Sequence, residues 1–319
     1  MLLFKTIKLP IHIKRKNRTG RNNYTRKKYT YSRRQKGITI NKKTFLVLGA
    51  IIILYGVKNH ISFNENNDNY QEYNEASVFS VESGAYIENG LLDTNNLINN
   101  FQKVAFKKDG TPEILILHTH TSESYSDGNG GTSGTVKEAG DKLAEIISEN
   151  YGVGVVHDIS VYDNVDGTVT TDGSYERSGE GIQKLLNKYP DIKVIIDIHR
   201  DSAGSNGKDT VNYNGNEAAR LMLVNGVCAL NENGQKGDAG VENPYITQNL
   251  AYSYALKNSM DVLAPSVMKN IYIKPYRYSL NNMPCSFLLE LGNEQNTLQE
   301  AENSLDVFAA ALFNSLEEN

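Results

Sequence analysis

A chain of 319 residues, 39% hydrophobic and 22% charged, holds enough apolar material for a sizeable core and does not have a disordered composition. Two cysteines, Cys228 and Cys285, are too few for a disulfide framework, so buried apolar packing is their expected place. The formal net charge of −4 hides a segregation, because residues 1–43 hold 15 Lys/Arg and no Asp or Glu, leaving 18 basic against 37 acidic residues beyond them.

The first element follows that basic tail. Thr44 to Val57 is an uncharged apolar stretch of 14 residues, and His60 to Phe63 extends it at the interface. A bilayer crossing wants about 20 apolar residues, so the run is short for a span. Basic residues immediately before an apolar segment keep their side in the cytoplasm. The expectation is a basic cytoplasmic tail (1–43), a single-pass transmembrane signal anchor (44–63), an extracytoplasmic linker (64–101) and one catalytic domain (102–319) held outside the cell membrane. Cleavage after the apolar run is the alternative to a retained anchor. Tyr24, Tyr29 and Tyr31 lie among the basic residues, but a cationic run beside a membrane segment sets topology and touches anionic lipid, so no nucleic acid is expected.

From Gln102 strands and helices alternate, which predicts a single α/β domain with a mostly parallel central sheet flanked by helices. Glu113 to Leu117 reads as the first strand. Val136, Ala139, Leu143, Ile146 and Ile147 recur at helical spacing over Val136 to Tyr151, with Gly152 as the stop. Val153 to Val156 is a strand, Glu176 to Tyr189 a helix, and Val194 to Ile198 and Leu221 to Asn225 are strands. Pro244 behind Asn243 opens a long helix. Ile271 to Lys274 and Ser286 to Leu291 are short strands. Thr297-Leu298-Gln299-Glu300 is a capping box that starts a last helix running to about Leu316.

Chemistry-bearing residues sit at the ends of these strands. The first strand runs into His118, His120 and Glu123, and the Val194 strand ends on Asp197, His199, Arg200 and Asp201. Sites in open α/β sheets form beyond the carboxyl ends of strands, so these side chains can converge. Two imidazoles and a carboxylate are a common catalytic zinc set that leaves a fourth position for water. His118 and His120, two residues apart at a strand end, would point to one face in extended geometry with Glu123 within a turn of both, and Glu138 competes with Glu123 for the carboxylate. Asp197 or Asp201 is placed to orient the second ring nitrogen of His199. Glu290 is embedded in the apolar Phe287 to Leu291 run, where an unpaired carboxylate costs several kcal/mol. It must therefore be paired with an arginine such as Arg277 or Arg200, or serve as a general base beside a metal. His157 ends another strand beside these groups.

Residues 102–318 resemble the stage II sporulation protein P family, which is related to the zinc N-acetylmuramoyl-L-alanine amidases. The resemblance rests on Leu117-His118-Thr119-His120-Thr121-Ser122-Glu123-Ser124-Tyr125, Val156-His157-Asp158, Ile196-Asp197-Ile198-His199-Arg200-Asp201 and Glu290-Leu291-Gly292-Asn293-Glu294-Gln295-Asn296-Thr297. It implies an amidase-like fold, a zinc ion (Zn2+) held by residues among His118, His120, Glu123 and His199, and Glu290 as catalytic base. Arg200 would stabilise the oxyanion or hold Glu290. The implied reaction cleaves peptidoglycan between the muramoyl lactyl group and L-alanine, with cross-link cleavage as a second activity, during septal wall remodelling and engulfment. The implied partners are a sporulation lytic transglycosylase and an engulfment membrane protein. A non-catalytic wall-binding scaffold and a stem-peptide carboxypeptidase or endopeptidase are the alternative readings.

Overall fold

The computed structural model describes residues 78–129, 132–229 and 242–318, all within one compact unit spanning Gln71–Asn319. The expected tail and anchor, residues 1–63, lie outside the described residues. Among the described residues no helix is long and apolar enough to cross a membrane.

The elements in chain order are β1 (Phe79–Val81), α1 (Thr94–Asn100), β2 (Pro112–Leu117), α2 (Val136–Tyr151), β3 (Gly154–His157), β4 (Asn164–Val165), β5 (Thr168–Val169), α3 (Ser174–Lys188), β6 (Val194–Asp201), β7 (Thr210–Tyr213), β8 (Asn216–Ala219), β9 (Leu221–Gly226), α4 (Ile246–Leu263), β10 (Ile271–Lys274), β11 (Ser286–Asn293), α5 (Leu298–Glu302) and α6 (Leu305–Leu316). Seven strands form one sheet in the order β1-β10-β9-β11-β6-β2-β3. It consists of two parallel blocks, β1-β10-β9 and β11-β6-β2-β3, that meet at an antiparallel β9/β11 seam. The expected mostly parallel sheet flanked by helices is therefore present. All four strands of the second block run toward one edge, where β3, β6 and β11 carry His157, His199 and Glu290 and β2 runs into His118.

Strand alternation divides the core. Ile114, Ile116, Ile196, Ile198, Phe287 and Leu289 face the larger apolar cluster, which also takes in α2, α4 and α6. Leu115, Leu117 and Ile195 face Ile182 of α3 on the other side. Because side chains alternate at period two, Asp197 and His199 share the α3 face with Ile195. The histidine thus emerges under α3 rather than into the main core.

Several expectations need correction. The linker expected over 64–101 ends early, since β1 pairs in parallel with β10 and Leu97 of α1 is fully buried. Neither element is long enough to show a period in sequence, and each is held by packing on the sheet and on α4. The helix expected to start at Pro244 starts at Ile246, with Asn243 Oδ1 accepting the Tyr245 N–H (2.9 Å) just before it. The last helix is broken at Asn303 and Ser304, where the Ser304 hydroxyl donates to the buried Ala219 carbonyl (2.6 Å). Helix α2 has the predicted bounds, and its Gly152 stop is left-handed at φ 70°. Cys228 and Cys285 are both buried.

Candidate active site

Register places the first pair of residues. Glu290 on β11 is the cross-strand partner of His199 on β6, and Leu117 at the end of β2 is the partner of Asp197. Beyond Leu117 the strand stops, so the rule that residues two apart share a face lapses and His118 and His120 diverge. The His120 ring lies edge-on to His199 at 5.1 Å, whereas the His118 ring lies edge-on to His157 at 5.1 Å.

Asp197 is the buried hub. It accepts the Thr119 N–H (2.9 Å), the Thr119 hydroxyl (2.7 Å) and the Ser279 hydroxyl (2.7 Å). Its Oδ1 also lies 3.0 Å from His199 Nε2, a close charge contact without hydrogen-bond alignment. Burial alone would raise the Asp197 carboxyl, but His199 and these donors hold it well below the usual carboxylate range. The converse holds for His199. Burial opposes its charge, while Asp197 and Glu123 outweigh that and raise it well above an ordinary histidine. The expectation that Asp197 orients His199 is met in position.

Glu123 lies on the other side of the ring, with Oε2 3.4 Å from His199 Nδ1 and accepting the Arg200 N–H at 3.0 Å. Arg200 Nε donates to the Ser124 carbonyl (3.2 Å), so Arg200 braces the Glu123–Ser124 turn. Glu138 is used elsewhere. Its carboxylate accepts the N–H groups of Gly134 (2.5 Å) and Thr135 (3.2 Å) at the start of α2. The capping box that makes Glu138 a good helix starter removes it from the site.

His118 is turned away from this cluster. Its Nδ1 lies 3.0 Å from the Ile198 carbonyl, which can only accept, so Nδ1 carries the proton. Its Nε2 lies 2.8 Å from His157 Nε2, and His157 Nδ1 lies 2.8 Å from Asp141 Oδ1. Burial pushes the His118 imidazole down to about 4. Gly140 on α2 closes over the pair, since a Cβ there would meet the two Nε2 atoms at 2.6 and 2.7 Å. The structure brings together His120, Glu123, His199 and Glu290, and places His118 with His157 instead.

Two residues escaped sequence reasoning. Buried Asp163 accepts the Thr121 hydroxyl (2.7 Å) and the Ser122 N–H (2.9 Å), which fixes the turn leading to Glu123. Tyr175 on α3 lies edge-on to His120 at 5.4 Å and nearly parallel to His199 at 6.3 Å. Neither stands in a periodic or motif-like context, and only the approach of a distant segment gives each its role.

Besides His199 Nε2, which has Asp197 beside it, His120 Nδ1 and Glu290 Oε2 at this edge are buried without a hydrogen-bond partner. Burial lowers the His120 imidazole, keeping a lone pair available, and raises the Glu290 carboxyl to about 8. Glu290 is only partly buried as a residue, but its Oε2 is inaccessible. Unpartnered buried polar atoms are costly, and a cation or a bound polar group relieves the cost. Among the described residues, no three His, Cys, Asp or Glu side chains stand close enough together to hold a metal ion. The donor types of His120, Glu123 and His199 fit a divalent cation in chemistry, and the unpartnered His120 nitrogen fits one in demand.

Fold and site together define an α/β protein with a histidine and carboxylate cluster at the carboxyl edge of one parallel strand block. Similar solved structures include the N-acetylmuramoyl-L-alanine amidase AmiC2 of Nostoc punctiforme, 16% identical with a TM-score of 0.36, over 65% of this chain and 96% of that one. The catalytic domain of the amidase CwlV from Bacillus (Paenibacillus) polymyxa var. colistinus is 11% identical with a TM-score of 0.37, over 64% and 99%. The CwlD amidase from Clostridioides difficile, solved in complex with the GerS lipoprotein, is 16% identical with a TM-score of 0.36, over 63% and 94%. Likenesses of this size carry no argument about chemistry. No curated protein matches the chain. The chain belongs to the stage II sporulation protein P (SpoIIP) family, whose model matches residues 49–313.

Proposed function

We propose that this chain is a peptidoglycan hydrolase of sporulation, a zinc-dependent amidase that cleaves between N-acetylmuramic acid and the L-alanine of the stem peptide. The observation that carries this reading is the pair of buried, unpartnered atoms His120 Nδ1 and Glu290 Oε2 around His199. Family membership supports the setting in sporulation. His120, Glu123 and His199 would hold the metal, which when bound would polarise the scissile carbonyl and acidify a water. Glu290 takes up a proton at its carboxylate and returns it to the leaving amine, and burial suits its carboxyl to that exchange near neutral pH. Asp197 holds the His199 ring, Arg200 braces the turn that presents Glu123, and Tyr175 shields both imidazoles from bulk water. His118 acts through the Ile198 carbonyl as a brace for the strand that carries His199.

In the same proposal residues 1–43 stay in the cytoplasm and residues 44–63 anchor the chain, with the catalytic unit outside facing the wall. A lytic transglycosylase and an engulfment membrane protein would act beside it. The test is mass spectrometry of products released from purified sacculi by the full chain, with zinc and with a chelator. Chelator-sensitive release of peptides beginning at L-alanine is expected. Products cut only within cross-links would move the specificity to endopeptidase, and sacculus binding without any release would make the protein a wall-binding scaffold.

A further inference from the structure

Beside the histidine cluster a groove of about 610 Å³ runs between α3 and the segment before β11. Tyr175 lines one end of it, and that ring packs against both His120 and His199, so a single side chain stands between the groove and the candidate reaction centre. Its helical wall presents Glu176, Glu180 and Lys184, one turn apart on a single face of α3. The opposite wall contributes Arg277 and two asparagines, and Gln183 Nε2 donates to Asn282 Oδ1 (3.1 Å) to tie the walls together.

The floor contains Gly179. A glycine in the middle of a helix costs about 1 kcal/mol relative to alanine, so it calls for a reason. Packing supplies none, because a Cβ at Gly179 would meet nothing within 4 Å. Two residues on, a Cβ at Gly181 would collide with the Tyr162 hydroxyl, which is a packing reason. Gly179 leaves the floor without a side chain.

Resting on the amidase reading above, we propose that this groove binds the peptide arm of the substrate, a short peptide carrying free carboxylates and a free amine. The lining decides peptide over glycan. Its charges of both signs match such a peptide, with Glu176 and Glu180 for the amine and Lys184 and Arg277 for carboxylates. A neutral sugar chain wants an open aromatic face. Tyr175, the aromatic residue of this lining, already packs against His120, His199 and Tyr278.

The test is a titration of the full chain carrying Glu290→Gln with a synthetic wall stem peptide and, separately, with chitotetraose, followed by calorimetry. Binding of the peptide is expected, weakened at least tenfold by Gly179→Phe, less by Gly179→Ala, and at least tenfold by the Glu180→Gln/Lys184→Gln pair. Glu149→Phe on the exposed side of α2 controls for an added ring, and thermal melts check that each variant folds. Absence of peptide binding, or equal binding by Gly179→Phe, overturns the proposal. So does chitotetraose binding that Gly179→Phe abolishes. If the unmutated chain releases nothing from sacculi yet its Glu290→Gln form binds peptide in this size-dependent way, the amidase reading fails and the groove stands. If it releases peptides and Gly179→Phe does so with unchanged KM, the groove fails and the amidase reading stands.

Discussion

Glu290 and His199 are register partners on adjacent parallel strands, which puts a buried carboxylate beside a buried imidazole with no loop between them. Rigid strands hold such a pair more tightly than loops do. Glu290→Gln is therefore expected to keep the fold and any bound metal while lowering turnover on sacculi by 10²-fold or more, the usual scale for loss of an acid–base group. Product release at the unmutated rate would remove Glu290 from that role.

The split between the two histidine pairs predicts unequal effects on metal content. His120→Ala and His199→Ala are expected to lose bound zinc. His118→Ala should retain it but fold less stably, since it loses the link to the Ile198 carbonyl and leaves His157 with an unmatched ring nitrogen. Elemental analysis of the purified variants decides the point, and loss of zinc in His118→Ala would restore that residue as a ligand.

Two glycine substitutions should have opposite signs. Gly140→Ala drives a methyl into the His118 and His157 rings, so it should destabilise by about 1–3 kcal/mol despite the better helix propensity of alanine. Gly179→Ala meets open space and should stabilise by up to about 1 kcal/mol. Urea denaturation of both variants gives the comparison, and equal signs would contradict the packing described for α2 or α3.

Asp163 should contribute an acid-sensitive share of stability. Burial would raise its carboxyl, but the donors from Ser122 and Thr121 prevail and lower it. A carboxyl held lower in the folded state adds stability that is complete above its unfolded value, about 3.9, and disappears as pH falls through the folded value. Asp163→Asn should therefore be less stable than the unmodified chain at pH 6 and differ from it less at the most acid pH where both still fold. A stability difference that stays constant over that range would contradict the assignment.

Much of the candidate site is legible in the sequence. His199 and Glu290 sit inside apolar strands, where a polar side chain needs a reason, and the strand ends mark the edge where sites form. Leu115, Ile116 and Leu117 likewise announce a strand buried on both faces. What stayed open were choices between near neighbours, His118 against His120 and Glu123 against Glu138.

Local pattern determines periodicity, caps and the unusual polar residue in an apolar run, because those depend on atoms within a turn or a pleat. It therefore determined α2, the strands of the second block and the identity of the candidate chemistry. Only the tertiary structure decided which way each histidine turns once β2 ends, that Glu138 is consumed as a helix cap, and that β1 joins the sheet edge. It alone brought in Asp163 and Tyr175, because their roles come from partners 24 or more residues away and no local interaction encodes an approach over that distance.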